Sequence, residues 1–450
     1  MDRADRIETT RFPRPVVNGN LPPPYPAAAN TAISFEDRHP ARVRAGIFAG
    51  AIVMASLCSL AWGGPIVGRM ITVVDFPDHI AGAEAFAADG RLASPHFLLH
   101  VLLGAILALA VAPSLQVAVV FFSVLYMAAG AAVCWYVGRD CLVERSALRC
   151  LLCIPLAIAV LMSGPIVPQS DMDLYLIGYF PPNVYHNPTM LLAKPLLVLV
   201  LASAFASAAR TNHPSRGELI ALTSPVVLDG LAKPNYLGCL VVVLAGAHLW
   251  RRMRSRRNER NAGLSSVRIA AVICAALSTL ALTYGRYRAE ERFETGISFA
   301  PLDIIGEYAD TDAITIAASL VGSMAFPLAV SLLWPSAVRR DPAMRIAWGG
   351  AVVGILISYL LAENGPRRFD GNFLWTGQMA VFVLFVATAS FVQAQFKTVP
   401  RGAGAWPRCH SVLTTVRAMV ALTVLLLHVE AGVRHARVMV AAGDWLAFWR

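Results

Sequence analysis

The chain has 450 residues, of which 57% are apolar and only 15% are charged. A soluble globular domain carries roughly 25% charged residues, so this composition excludes an ordinary soluble protein. Glycine has no three-residue period, and the apolar residues form continuous runs rather than alternating with polar ones, which excludes a collagen-like chain and an outer-membrane β-barrel. Lys and Arg outnumber Asp and Glu by 38 to 28, and in a membrane protein the position of that excess matters more than its total.

The first 44 residues are rich in proline and arginine and lead into an apolar run without a convincing cleavage site. They predict a disordered cytoplasmic tail before an uncleaved first span. The basic run RRMRSRR at 251–257 lies between two apolar segments without interleaved aromatic residues, so we expect a cytoplasmic membrane anchor and no nucleic-acid partner. Only Cys150 and Cys153 form a CxxC pair, which favours buried free thiols over a metal site or a disulfide framework.

Twelve apolar segments follow one another along the chain. They lie at 45–66, 93–112, 115–137, 148–167, 190–209, 219–228, 236–250, 264–284, 313–334, 346–361, 374–396 and 411–428. A straight span needs about 20 residues, so 219–228 and 236–250 are either two tilted spans or one pair broken at the sequence LAKPN. We predict an all-α, polytopic transmembrane helical bundle over 45–428, with a C-terminal tail at 429–450 on the outer face.

Basic loops predict which face of the membrane is cytoplasmic. The loops at 139–149, 210–216, 251–260, 339–345 and 397–408 are basic, whereas those at 67–113, 164–189, 285–312 and 362–373 are acidic or mixed and are therefore predicted to be the outer loops. If every segment crossed, the basic loop after 115–137 would lie on the same side as the acidic loop that begins at residue 67. We therefore expect 93–112 to be a juxtamembrane or re-entrant helix, which leaves about eleven spans with the N-terminus inside and the C-terminus outside. The alternative is twelve full spans with one loop that violates the charge rule.

The outer loops contain the candidate functional carboxylates. The first opens with VVDFPDH and carries Asp75, Asp78 and His79 at the mouth of the first span. Carboxylates that face inward at this depth serve as general bases or as ligands of a hard metal ion. Asp171 and Asp173 in the second outer loop are two residues apart, so in extended backbone they point the same way and can share one cation.

A second group of candidates would recognise the substrate. The prolines of PPNVYHNPT predict a rigid loop, and Tyr185, His186 and Asn187 suit recognition of a sugar or a lipid head group. Four cationic side chains on the predicted outer face would neutralise a phosphate or diphosphate that arrives from the bilayer, namely Lys194, Lys233, Arg367 and Arg368. For Lys194, snorkelling of the ammonium toward the interface is the alternative.

The uncleaved first span, the outer loop that begins VVDFPDH, the helix after SPH and the acidic second outer loop together resemble the GT-C superfamily of polytopic glycosyltransferases. The resemblance covers the first 200 residues. Enzymes of that superfamily take a sugar from a polyprenyl-phosphate carrier. The resemblance implies that Asp75 is the catalytic acidic residue with Asp78 as its neighbour, and that Asp171 or Asp173 positions a metal or the acceptor.

We therefore expect a cell-envelope glycosyltransferase of a bacterial-type inner membrane, with its active-site loops on the periplasmic face. It would move a sugar from a polyprenyl-phosphate carrier to a glycan, lipid or protein acceptor by single-displacement inversion, with Asp75 as the base. A divalent metal, Mg or Mn, is a candidate cofactor, with Asp75, Asp171 and Asp173 as its ligands. The alternatives are a transporter or flippase of lipid-linked saccharides, which the gathering of acidic motifs on one face disfavours, and a polysaccharide polymerase.

Overall fold

The structure is a computed structural model. It describes residues 41–73, 75–92, 97–140, 147–167, 178–209, 213–254, 259–289, 296–308, 312–365, 368–396 and 405–442. In these ranges the chain is helical, apart from its connecting loops and one small antiparallel sheet. The all-α architecture expected from the composition is thereby confirmed.

The described ranges contain fifteen helices. In chain order they are α1 (Ala41–Met70), α2 (Asp75–Asp89), α3 (Leu98–Leu109), α4 (Ser114–Gly138), α5 (Ala147–Met162), α6 (Pro188–Ala209), α7 (Arg216–Ala232), α8 (Asn235–Arg254), α9 (Glu259–Ala289), α10 (Asp303–Tyr308), α11 (Ala313–Leu333), α12 (Pro335–Arg340), α13 (Pro342–Leu360), α14 (Leu374–Gln395) and α15 (Ala405–Ala442). Strand β1 (Ile297–Phe299) pairs with β2 (Leu361–Glu363), and Ser298 stands opposite Ala362.

The helices suit a membrane environment. Eight of those described, α1, α4, α6, α9, α11, α13, α14 and α15, are long and apolar enough to cross a bilayer, and α3, α5 and α8 are shorter apolar helices. Each of the twelve apolar segments predicted from the sequence overlaps with one helix of the structure. The protein is therefore an integral membrane helical bundle, while the count of eleven crossings stays a prediction. Helix α15 continues through Ala442, so the segment predicted as a C-terminal tail begins as helix.

Helix α3 occupies the segment that we expected not to cross. It has 12 residues, which corresponds to about 18 Å against a hydrocarbon core of about 30 Å. It packs closely on α2, because a Cβ atom at Gly104 would lie 2.7 Å from the carbonyl oxygen of Ala83. The length and the close packing both fit a helix that lies beside α2 rather than a full span.

Contacts between helix termini define two ends of the bundle. At one end, Arg69 near the end of α1 donates to the Val440 carbonyl in α15 at 3.2 Å. The start of α6 lies at the same end, because Asn187 just before α6 donates to Asp75 just after α1. At the opposite end, Arg149 at the start of α5 donates to Gln393 Oε1 near the end of α14 at 2.9 Å. Helices that cross in alternate directions have their termini distributed in this way. We call the first end the site end.

A buried loop precedes α6 at the site end. Residues 178–187 are buried without forming a helix. The Asn183 amide donates to the Ser163 carbonyl at 2.8 Å, and the Ile166 N–H donates to the Gly322 carbonyl at 2.9 Å. Irregular backbone is tolerated at membrane depth when protein groups form its hydrogen bonds in this way. The loop therefore holds its side chains in a packed protein environment.

Candidate functional site

Asn187 ends the buried loop and caps helix α6. Its Oδ1 accepts a hydrogen bond from the Met190 N–H at 3.0 Å, and Pro188 takes the first helical position, where an N–H has no partner within the helix. The sequence Asn-Pro-Thr therefore starts a helix because of its own residues, with Asn187 as the cap and Pro188 in the first turn. The cap also fixes the Asn187 amide group, so the direction of its Nδ2 is set by the helix.

The Nδ2 of Asn187 donates to Asp75 Oδ2 at 2.8 Å. Asp75 is the first residue of α2, so the contact joins two segments that lie far apart in sequence and that were both predicted as outer loops. Burial raises the pKa of Asp75 above its ordinary value of 3.8, although nearby Lys233 and the hydrogen bond from Asn187 both act to lower it. A carboxyl group with a raised pKa and a fixed orientation is suited to general base catalysis near neutral pH.

Lys233 reaches the same amide from the break between α7 and α8. The chain leaves the helix at this residue, as LAKPN predicts, and the side chain is only 3% exposed. Its Nζ donates to Thr189 Oγ1 at 3.0 Å and to Asn187 Oδ1 at 3.3 Å, and it lies 4.6 Å from the ring centroid of Trp375. The Asp75 carboxylate and the Lys233 ammonium thus both form a hydrogen bond with the side-chain amide of Asn187. We call Asp75, Asn187, Thr189 and Lys233 the site network.

Aromatic side chains surround the site network. His186 lies with its ring centroid 5.6 Å from that of Trp375, and burial together with Lys233 lowers the pKa of His186 to about 3. Tyr185 lies between Trp62 and His435, with ring centroids 6.2 Å and 6.0 Å away. The aromatic groups near the network are therefore uncharged at neutral pH, and they offer ring faces and hydrogen-bonding edges.

Two histidines lie beside the network. His79 is one helical turn after Asp75, and its Nδ1 is 2.9 Å from the Nε2 of His100 in α3. Burial, His100 and Lys233 lower the pKa of His79 to about 3, so its imidazole is neutral. The pair can form because Gly82 has no side chain, since a Cβ atom there would lie 3.0 Å from His100 Nε2. The close packing of α3 on α2 thus supplies the partner of His79.

The remaining predicted site residues are spread more widely. Asp78 is exposed on the first turn of α2, and Lys194 is buried in α6. Arg368 is half-buried and forms an ion pair with Asp303 of α10 at 2.7 Å. Asp171, Asp173 and Arg367 lie outside the described residues. Their predicted roles stay predictions.

A divalent metal site is supported only by its sequence pattern. Among the residues that the structure describes, no group of three His, Cys, Asp or Glu side chains is arranged to hold a metal ion. Of the three predicted ligands, only Asp75 belongs to the described part of the chain. The Mg or Mn site therefore stays a prediction.

The sequence analysis did not single out five of the residues at or around the site network, namely Trp62, His100, Thr189, Trp375 and His435. Thr189 follows the prolines of the second outer loop and Trp375 begins an apolar helix, so neither has a signal of its own. His100 has a weak one, because a histidine in the short helix after SPH lies in the segment that we expected to stay at the outer face.

No protein-family model matches the sequence, and no curated protein is significantly similar to it. The fold defines an integral membrane helical protein with a polar network buried at one end of an apolar bundle. Any more specific function has to be argued from the chemistry of that network.

Proposed function

We propose that the protein is a membrane glycosyltransferase that moves a sugar from a polyprenyl-phosphate carrier to an acceptor hydroxyl. The proposal rests on the contact of Asp75 and Lys233 with the single amide of Asn187 at one end of an apolar bundle. A lipid-linked sugar phosphate needs both groups at such a position. The carboxylate can accept a proton, and the cation can neutralise the leaving phosphate.

The reaction is a single displacement. The Asp75 oxygen that does not bind Asn187 removes the proton of the acceptor hydroxyl. At the same time the oxygen of that hydroxyl attacks the anomeric carbon of the sugar. The bond from that carbon to the phosphate oxygen breaks, the polyprenyl phosphate leaves with the electron pair, and the proton remains on Asp75. Attack opposite to the leaving group inverts the anomeric configuration. The base and the neutralising cations supply most of the rate enhancement, since phosphate is already a good leaving group.

The other predicted residues have supporting roles in this proposal. Lys194, Lys233, Arg367 and Arg368 are the candidate contacts for the phosphate. His79, Asp171, Asp173, Tyr185, His186 and Asn187 are the candidates for holding the acceptor. A Mg or Mn ion on Asp75, Asp171 and Asp173 would neutralise further charge, but no step of the reaction depends on it. The acceptor is a glycan, a lipid or a protein, and the site end faces the periplasm of a bacterial-type inner membrane.

A transporter or flippase of lipid-linked saccharides is the second candidate, and one observation favours it. Asp229 of α7 is 0% exposed, and neither of its carboxylate oxygens has a hydrogen-bond partner in the described part of the chain. Acidic groups inside a membrane bundle are common on ion pathways, and the break after Asp229 resembles the broken helices of transporters. A polysaccharide polymerase would share the chemistry of the first proposal.

The test is sugar transfer by the full chain in nanodiscs, supplied with a panel of radiolabelled polyprenyl-phosphate sugars. We expect Asp75→Asn to lower the rate of transfer by roughly 100-fold or more, because a general base contributes about that much. Asp89→Asn is the matched control, since Asp89 lies at the other end of α2 and its side chain is 44% exposed and paired with Arg91. Transfer by Asp75→Asn at the wild-type rate would refute the proposal. Movement of the lipid-linked saccharide across the membrane without covalent transfer would favour the transporter.

A further inference from the structure

Three hydrogen-bond donors lie next to one another at the site end, namely the Lys194 ammonium, the Tyr185 hydroxyl and the Trp62 indole N–H. The indole N–H interacts with the Tyr185 oxygen, which leaves the ammonium and the hydroxyl proton without an acceptor among the described residues. Lys194 Nζ is 5.8 Å from the centroid of the Tyr185 ring, and the Tyr185 and Trp62 ring centroids are 6.2 Å apart. Buried donors are almost always paired, so these two indicate an acceptor that the described part of the chain does not provide.

The Lys194 ammonium sets the charge of that acceptor. The side chain is 1% exposed, and its neighbours are the faces of Tyr126, 5.9 Å away, and Tyr185. Ring faces attract a cation only weakly and cannot replace a counterion in an apolar bundle. The Tyr126 ring can approach because Gly63 lacks a side chain, since a Cβ atom there would overlap the ring. A group that carries negative charge and several acceptor oxygens would satisfy the ammonium and the hydroxyl together.

Lys233 is a poorer ligand for such a group. Its ammonium already donates to Thr189 and Asn187, so an incoming anion would have to compete with these hydrogen bonds. Lys194 has no such hydrogen bonds to give up among the described residues. Lys233 therefore orients the amide that holds Asp75 and adds positive charge near the phosphate, whereas Lys194 is available to bind an anionic ligand directly.

We propose that Lys194, Tyr185 and Trp62 form the binding site for the phosphate group of a membrane lipid. Trp62 is half-buried, and nearby Leu57 and Met54 of α1 are exposed on the surface of the bundle, so the row of donors runs from the lipid-facing surface to the interior. An anion attached to an acyl or prenyl chain can reach such a site without leaving the bilayer. The identity of the lipid as the sugar carrier rests on the proposed function, whereas the phosphate site itself does not.

The position of Lys194 fits a phosphate next to the sugar site. Lys194 is seven residues after Asn187, which places its Cα about 10 Å deeper along α6. Helical side chains lean toward the N-terminus, so the ammonium returns toward the buried loop, as its contact with Tyr185 shows.

The experiment measures binding to the purified full chain in nanodiscs of phosphatidylcholine, with farnesyl phosphate as the probe. We expect farnesyl phosphate to raise the unfolding temperature, and farnesol, which has the same chain without the phosphate, to have no comparable effect. Lys194→Met should weaken the binding of farnesyl phosphate roughly tenfold to a hundredfold, because a charge-assisted hydrogen bond is lost. Lys194→Arg should retain most of the binding. Lys397→Met is the matched control and should bind as the wild type does.

The outcomes separate this proposal from the proposed function. Without ligand, Lys194→Met should be as stable as the wild type or more stable, because an uncompensated buried charge has been removed, so loss of binding is not a folding defect. Equal affinity of Lys194→Met and the wild type, or equal affinity for farnesol and farnesyl phosphate, would overturn the site. Equal stabilisation by inorganic phosphate would overturn the lipid as its source. Binding that depends on Lys194 in a protein that transfers no sugar would leave the site standing and remove the glycosyltransferase.

Discussion

The hydrogen bond from Asn187 to Asp75 gives the sharpest prediction about the reaction. Asn187→Asp keeps the cap of α6, because Asp caps helices as well as Asn does, but it replaces the donor that faces Asp75 with an acceptor. A hydrogen bond to a charged group contributes about 1.5–3 kcal/mol. Loss of the bond destabilises the charged form of Asp75 and should therefore raise its pKa further. The new carboxylate at position 187 also repels the Asp75 carboxylate. Lys233, whose Nζ lies 3.3 Å from the Oδ1 of residue 187, offsets part of this repulsion.

The sign of the effect follows from the role of Asp75. A base works in its deprotonated form, so the rate rises with pH through the pKa of that base. A higher pKa moves this rise of kcat/KM to higher pH, while the rate on the alkaline plateau changes less. The assay is kcat/KM for sugar transfer between about pH 5 and pH 9.

Asn372→Asp is the matched control for that measurement. Asn372 donates to the Glu363 carboxylate at 2.8 Å, so the substitution makes the same chemical change beside a carboxylate outside the site network. We expect the pH profile of Asn372→Asp to match that of the wild type. If the profile of Asn187→Asp also superimposes on the wild type, Asp75 is not the group that titrates in the reaction, and the assignment of the base is wrong.

Two further predictions concern the helices around the site. Gly82→Ala should push the His100 ring by a few tenths of an ångström and lower the transfer rate several-fold, because it loosens the contact with His79. Gly68→Ala is the control and should leave the rate unchanged, since a Cβ atom there has no heavy atom within 4 Å. Equal transfer rates of the two variants would remove the histidine pair from the mechanism. A single cysteine at Asp89 should react with an impermeant maleimide from outside the cell and one at Ser146 only after permeabilisation, and the opposite pattern would refute the topology.

Local sequence signals predicted the helices well. Apolar runs and helix-breaking residues act over a few positions, so the break at Lys233 and Pro234 appears between α7 and α8 where the sequence indicates it. The sheet was missed. Ile297–Phe299 pairs with Leu361–Glu363, and a three-residue strand has too little pattern to be recognised without its partner. The loop at 285–312 was therefore described only as acidic or mixed, although it contains this strand and α10.

The site was predicted in part for the same physical reason. Asp75, Asn187 and Lys233 were each singled out as rare polar groups near the ends of apolar segments, where burial is costly and a function is the usual explanation. Their meeting on one amide depends on the packing of α2, α6 and α7, which composition does not specify. Lys194 and Tyr185 were singled out in the same way, whereas Trp62 had no sequence signal. That the Lys194 ammonium and the Tyr185 hydroxyl lack an acceptor among the described residues can be judged only when the neighbours of each group are known.

Asn187 couples the stability of the bundle to the geometry of the site. Its Oδ1 caps α6 through Met190 and also accepts from Lys233, so a movement of α6 would move the group that holds Asp75. A network that is satisfied within the protein resists such movement, because every alternative position leaves a buried polar group without a partner. Lys194 and Tyr185 are the opposite case, since the described residues give the ammonium and the hydroxyl no acceptor and the proposed phosphate would supply one. In the proposed function the protein therefore combines a base that the network holds in place with a separate site for the phosphate of a substrate from the bilayer.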